Sequence, residues 1–168
     1  ALLAGGLGTR LREETEFRPK PMVMVGGRPI LWHIMRSYAH HGHKEFVVCA
    51  GYRGDIIKEY FREFQSEVSD FTVTLGSKSS IEFHDKYVEE GWKVTVTDTG
   101  LSTMTGGRLF KARKYLGSDT FMCTYGDGLA NVDLKSLLEF HKKHGKIATV
   151  TAVRPVSRFG VMDVSSNG

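Results

Sequence analysis

The residues with the clearest chemical potential stand near the start of the chain. Leu3-Ala4-Gly5-Gly6-Leu7-Gly8-Thr9-Arg10 is a glycine-rich run. It is followed by Arg12 and then by Lys20 within Arg18-Pro19-Lys20-Pro21. Glycine lets a backbone approach an anion closely and turn its N–H groups toward it. Guanidinium and ammonium groups close behind such a loop suit a polyphosphate. The prolines on either side of Lys20 stiffen the backbone, so its ammonium is placed rather than left free to sweep. A plain tight turn with surface charges is the alternative, and the combination of the loop with Arg10 and Lys20 weighs against it.

Two familiar phosphate loops fail on specific residues. The dinucleotide fingerprint needs Gly or Ala where Leu11 stands after Gly6-Leu7-Gly8-Thr9-Arg10, and no Gly-x-x-x-x-Gly-Lys-Ser/Thr run occurs. A second candidate is Asp127 in Gly126-Asp127-Gly128, directly after an apolar run. One carboxylate with access from both sides suits Mg²⁺ held jointly with substrate phosphates, although an Asp-Gly turn is common in its own right. A third is Asp98-Thr99-Gly100-Leu101-Ser102-Thr103-Met104-Thr105-Gly106-Gly107-Arg108, where hydroxyls and a Gly-Gly pair precede a helix and could read a base or bind an anion. Arg108 falls in the first helical turn, where a cation gains nothing from the helix dipole. A bound anion would account for it, and so would a solvated side chain.

Other reactive types are better explained by structure. His40, His41 and His43 sit at the end of an amphipathic segment, as do His141 and His144, and histidines favour helix C-termini. The pairs Glu13-Glu14 and Glu89-Glu90 lie in polar stretches and read as solvated. Cys49 and Cys123 sit far apart in apolar runs, which suggests two buried thiols in a reducing compartment. No nucleophile–base pair can be placed by spacing. Nucleotidyl and phosphoryl transfer do not require one, because positioning and electrostatics suffice.

These residues need a scaffold, and the chain supplies strand–helix alternation. Ala1–Ala4, Val23–Val25, Phe46–Ala50, Phe71–Leu75, Ile81–His84, Trp92–Thr97, Thr120–Thr124 and Ile147–Val153 read as strands. Ile30, Leu31, Ile34, Met35 and Tyr38 recur at helical spacing behind Pro29. Further helices are expected from Asp55, as cap, to Phe64, from Gly106-Gly107 to Tyr115, and from Leu134 to Gly145. The continuous apolar strands predict an α/β fold with a doubly wound, mostly parallel sheet. In such a sheet ligands bind at the carboxyl ends of the strands, where both the glycine loop and Asp127 fall.

Composition sets the outer bounds. The chain has 168 residues, 40% of them hydrophobic and 25% charged, which suits a single globular domain. Its 23 basic and 19 acidic residues, net +4, are spread along the chain, so nucleic-acid binding is not expected. No apolar run is long enough to span a membrane. The reading is of a cytoplasmic protein.

The glycine run together with Pro19-Lys20-Pro21-Met22 resembles the sugar-1-phosphate nucleotidyltransferases. The stretches Pro29–Met35, Gly51-Tyr52-Arg53-Gly54, Met104–Leu109, Tyr125-Gly126-Asp127-Gly128 and Arg158-Phe159-Gly160 extend the resemblance over essentially the whole chain. Thr-Gly-Gly-Arg and Tyr-Gly-Asp-Gly draw it toward the cytidylyl branch. The resemblance implies a Rossmann-like nucleotidyltransferase fold and transfer of CMP from CTP to glucose 1-phosphate. Relatives using dTTP, UTP or ATP, and a nucleotide-binding module without catalysis, are the alternatives. It further implies that Leu3, Ala4, Gly5, Gly6, Leu7, Gly8, Thr9 and Arg10 contact the nucleotide, with Arg10 and Lys20 as catalytic cations. Thr103 and Arg108 would add nucleotide contacts, Asp127 would hold Mg²⁺, and the protein would be a homo-oligomer. Set against that family, residues 1–168 correspond to the N-terminal and central part of the domain, truncated at both ends. The family's Glu-Lys-Pro segment and second acidic metal ligand would follow Gly168.

Overall fold

In the computed structural model, residues 1–6, 18–84, 89 and 91–153 are described. Leu7, Gly8, Thr9, Arg10, Leu11, Arg12, Glu13-Glu14, Glu90 and Arg158-Phe159-Gly160 lie outside the described residues. The chain divides into two compact units, Ala1–Asn131 and Val132–Gly168.

The strands of the first unit, in chain order, are β1 (Leu2–Ala4), β2 (Met24–Val25), β3 (Arg28–Pro29), β4 (Glu45–Ala50), β5 (Phe71–Thr74), β6 (Ser80–Phe83), β7 (Lys93–Asp98) and β8 (Thr124–Tyr125). Its helices are α1 (Ile30–His40), α2 (Gly54–Arg62), α3 (Phe64–Val68) and α4 (Thr105–Leu116), with a short 3-10 turn at Lys20–Met22. Four strands form the central sheet in the order β7-β4-β1-β8, every pair parallel. Two small antiparallel ladders, β2-β3 and β5-β6, stand apart from it.

Side chains alternate across the sheet, as the strand period demands. Leu2, Ala4, Phe46, Val48 and Ala50 face a core completed by Leu31, Ile34 and Met35 of α1 and Ile57 of α2. Leu3, Val47 and Cys49 face the opposite way and meet Ala112, Leu109 and Leu116 of α4. Both faces are therefore covered, which explains why β1 and β4 read as unbroken apolar runs. The strand order reverses at β1. The chain passes from β1 outward to β4 and β7, then returns through α4 to β8 on the other side. The junction of β1 and β8 is thus the topological switch point, where a doubly wound sheet opens a crevice at its carboxyl edge.

Several boundaries differ from expectation. Pro29 precedes α1 as its cap residue, and Gly42 (φ +87) follows the end of the helix. Asp55 does not cap α2. Arg53, in the left-handed conformation (φ 49), occupies that position. Asp55 lies in the first turn, where its charge still favours the helix dipole. The expected strand Thr120–Thr124 is reduced to Thr124–Tyr125, while Met122 O and Thr124 N–H hydrogen-bond Ala1 ahead of it.

In the second unit α5 (Leu134–His144) is capped by Asp133, whose side chain accepts from the N–H groups of Lys135 (3.0 Å) and Ser136 (3.1 Å). Gly145 (φ +63) closes the helix. His141 Nδ1 and His144 Nε2 both hydrogen-bond Thr149 Oγ1, at 2.8 and 2.7 Å, so these histidines serve structure as expected. The expected strand Ile147–Val153 is absent. Ile147, Val150 and Val153 are exposed and form no ladder with another described strand, and without a partner for its N–H and C=O groups an apolar run does not become a strand.

Candidate functional site at the carboxyl edge of the sheet

Parallel pairing sets four chain segments side by side at one edge. In sheet order they are the loop 99–103 after β7, Gly51 after β4, Gly5-Gly6 after β1, and Gly126-Asp127 after β8. The ladder continues past the strands: Thr99 N–H donates to Ala50 O (2.9 Å) and Gly126 N–H to Leu3 O (2.9 Å). Ala4 and Gly126 are therefore neighbours across the switch point. A Cβ on Gly126 would lie 3.2 Å from Pro21 Cγ and 3.3 Å from Ala4 Cβ. Pro21 thus packs beside Gly126, which brings the Lys20 segment and Asp127 to the same end of the sheet.

Lys20 opens the 3-10 turn, fixed by Met22 N–H to Pro19 O (2.8 Å) and Val23 N–H to Lys20 O (3.0 Å), with Pro19 and Pro21 buried on either side. Its side chain is partly exposed, and Asp127 is exposed. Among the described residues neither Lys20 nor Asp127 has a hydrogen-bond or ion-pair partner. Both groups remain uncommitted.

Arg108 is the opposite case. It is 6% exposed and makes no ion pair among the described residues. Its Nη1 donates to Ala50 O (3.3 Å), Thr99 Oγ1 (2.7 Å) and Gly100 O (2.8 Å). Its Nη2 donates to Gly5 O (2.9 Å) and Leu101 O (3.2 Å). Carbonyls from the ends of three neighbouring strands converge on one guanidinium, whose planar fork of donors can serve several acceptors at once. The solvated side chain considered above is excluded, and the acceptors present are carbonyls and a hydroxyl of the chain itself. Gly5 must be glycine for this packing, since a Cβ there would lie 2.0 Å from Arg108 Nη1.

Leu3 and Ala4 place their side chains in the two cores, so any ligand contact at these positions falls to their backbone. Gly5 is buried and Gly6 exposed. Thr103 is half-buried at the start of α4, and its Oγ1 accepts from Lys111 Nζ (3.0 Å). Lys111 is a further candidate that residue type alone does not single out. Its spacing of three from Arg108, on one helix face, was the available signal. Glu89, expected to be solvated, is buried and accepts a hydrogen bond from the Trp32 indole, so an aromatic donor 57 residues away in the chain decides its environment. Cys49 is buried, and burial pushes its thiol pKa up. Cys123 is free and exposed, against expectation, although Met122 O and Thr124 N–H on either side of it pair with Ala1. Among the described residues no group of three or more His, Cys, Asp or Glu side chains is disposed to hold a metal ion. None of the described helices is long and apolar enough to cross a membrane.

A doubly wound parallel sheet with glycines at its carboxyl edge defines an α/β protein of the class that binds ligands at that edge. The sequence model of the nucleotidyl transferase family matches residues 1–168, and the chain belongs to that family. It is 52% identical over 98% of its length to the glucose-1-phosphate cytidylyltransferase of Salmonella typhi, covering 64% of that protein. To the enzyme of the same name from Salmonella typhimurium it is 53% identical over 97% of its length, covering 63%. The chain therefore spans just under two thirds of these curated relatives. Among solved structures, that of HddC from Yersinia pseudotuberculosis complexed with GMP-PN superposes with a TM-score of 0.61 at 26% identity, over 83% of this chain and 52% of that one.

Proposed function

We propose that the protein carrying this chain transfers CMP from CTP to α-D-glucose 1-phosphate, releasing CDP-glucose and pyrophosphate. The observation that carries the reading is the identity of 52 and 53%, sustained over nearly the whole chain, to two proteins of that name. The carboxyl edge supports it, because the glycine backbone, the Lys20 turn and Asp127 lie at that end of the sheet, and among the described residues neither the Lys20 ammonium nor the Asp127 carboxylate has a partner.

An oxygen of the sugar phosphate, already anionic, attacks the α-phosphorus in line. One P–O bond forms, the bond to the bridging oxygen breaks, and pyrophosphate leaves with the electron pair. No proton has to be removed, so no protein base is required. The work left to the chain is to bring two anions together and offset their charge. Lys20 supplies a positive charge from a rigid turn, and Arg10 a second one. Gly5 and Gly6 offer close backbone approach, and buried Arg108 adds a positive charge beneath that loop. Leu3, Ala4, Leu7, Gly8, Thr9 and Thr103 complete the nucleotide contacts in this reading. Asp127 fits Mg²⁺, which commonly takes one or two carboxylates together with substrate phosphates. When bound, the ion offsets charge on the phosphates. The same reading makes the protein a cytoplasmic homo-oligomer.

The test is pyrophosphate release by the full-length protein with glucose 1-phosphate, Mg²⁺ and CTP, UTP, dTTP or ATP in turn. CTP should exceed the others by at least about tenfold, the effect of one base-reading hydrogen bond. Equal turnover of UTP would sink the cytidylyl assignment. Tight CTP binding without release would mark a nucleotide-binding module instead.

A further inference from the structure

The loop between β7 and α4 is held by two cations on one face of α4. Three consecutive carbonyls turn toward them. Thr99 O accepts from Lys111 Nζ (3.0 Å), while Gly100 O and Leu101 O accept from Arg108 (2.8 and 3.2 Å). Gly100 makes the turn at φ +88, and its N–H donates to Asp98 Oδ1 (2.8 Å).

Two threonines in this loop are wired differently. Thr99 Oγ1 accepts from Arg108 Nη1 (2.7 Å) and donates to Ala50 O (2.6 Å), so its hydroxyl is fully committed within the chain. Thr103 Oγ1 meets Lys111 Nζ at 3.0 Å and has no other hydrogen-bond partner among the described residues. An ammonium carries donors and no acceptor. Thr103 therefore accepts from Lys111, and its own O–H proton remains available. The bond from Lys111 fixes the hydroxyl, and the neighbouring glycines leave room for this rotamer. A Cβ at Gly107 would lie 2.9 Å from Thr103 Cγ2, and one at Gly100 would lie 3.0 Å from Thr103 Oγ1 and 3.2 Å from Lys111 Nζ. Both glycines make room for the methyl group on one side and the hydroxyl–ammonium pair on the other.

We infer that Lys111 is a positioning residue that fixes Thr103 as a hydrogen-bond donor to an acceptor oxygen of the bound nucleoside triphosphate. The inference rests on the CTP reading above. Lys111 does not touch the nucleotide. It sets the polarity and the rotamer of the hydroxyl that does.

The experiment is calorimetric CTP binding by the full-length protein and its variants Thr103→Val, Thr103→Ser, Lys111→Met, Lys111→Arg and the double variant Lys111→Met/Thr103→Val, each with its melting temperature and its kcat and KM. Thr103→Val and Lys111→Met should each weaken CTP binding about tenfold, the loss of one hydrogen bond, and raise KM with kcat held. Thr103→Ser and Lys111→Arg should stay within about threefold of the parent on the same scale. The double variant should bind no more weakly than Thr103→Val alone, because Lys111 acts only through that hydroxyl. Parent-like binding by Lys111→Met, or effects that multiply in the double variant, would overturn the inference while leaving the CTP reading intact. A parent protein that binds no CTP would instead remove that reading, and the inference with it.

Discussion

Arg108 donates from Nη2 to the carbonyl of Gly5 at 2.9 Å, joining residues 103 apart in the chain. This bond ties the first turn of α4 to the glycine loop. The same guanidinium also holds the ends of β4 and β7. Replacing Arg108 with Met removes five hydrogen bonds at once, taking the donor from Gly100 O and Leu101 O and leaving Gly5 O only a long bond from Tyr52 N–H, while Ala50 O keeps its bonds from Thr99; an acceptor left unpaired away from water costs about 1–3 kcal/mol. Arg108→Met should lower unfolding stability by roughly 3 kcal/mol or more on that scale. Arg108→Lys, with a single nitrogen, should recover only part of it. Urea denaturation midpoints measure both. An unchanged midpoint for Arg108→Met would show that the five bonds contribute no net stability.

Gly51 should tolerate substitution poorly. A Cβ there would lie 2.6 Å from Arg108 Nη1 and 2.9 Å from the carbonyl oxygens of Gly100 and Gly5. Two of those neighbours are backbone and cannot swing away. Gly51→Ala is expected to cost at least about 1–3 kcal/mol, the usual scale of overpacking. Gly6→Ala, where no atom lies within 4 Å of the added Cβ, is the control and should leave the thermal midpoint nearly unchanged.

In steady-state assays of the full-length protein, Lys20→Ala should lower kcat about a hundredfold or more, the scale of one preorganised charge contact. Its melting temperature should hold, since the Lys20 side chain makes no hydrogen bond or ion pair among the described residues. Asp127→Asn should raise the Mg²⁺ concentration needed for half-maximal rate by about tenfold or more. An unchanged Mg²⁺ requirement would remove Asp127 from the metal site.

Tyr60 gives a pH dependence. Burial pushes its phenol up to about 12 from the ordinary 10, against the opposing pull of Arg28, with Glu89 and Glu67 adding to the rise. The folded pKa is raised, so the neutral phenol contributes stability that is fully present below pH 10 and is lost as pH rises toward 12. Unfolding stability should therefore fall across that window, and more steeply in the parent than in Tyr60→Phe. Equal slopes for the two proteins would contradict the shift.

Much of the scaffold was legible because it follows from local periodicity. The continuous apolar run Phe46–Ala50 reports a strand covered on both faces and the spacing of Leu31, Ile34 and Met35 a helix buried on one, and those faces form the two cores. The glycine run, Lys20 and Asp127 could be singled out from residue type alone, since an anion site needs close backbone approach, cations and a metal-competent carboxylate. The misjudged residues depended on partners distant in sequence. Ile147–Val153 had the composition of a strand and lacked a ladder, Glu89 found an indole, and Cys123 stayed exposed beside a shortened β8. Arg108 is the clearest division between the two levels. Its type and its awkward place at a helix N-terminus were fixed by sequence and suggested an anion. What it binds within the chain was decided only when parallel pairing aligned the ends of β1, β4 and β7, because a buried guanidinium needs more acceptors than any single segment can offer.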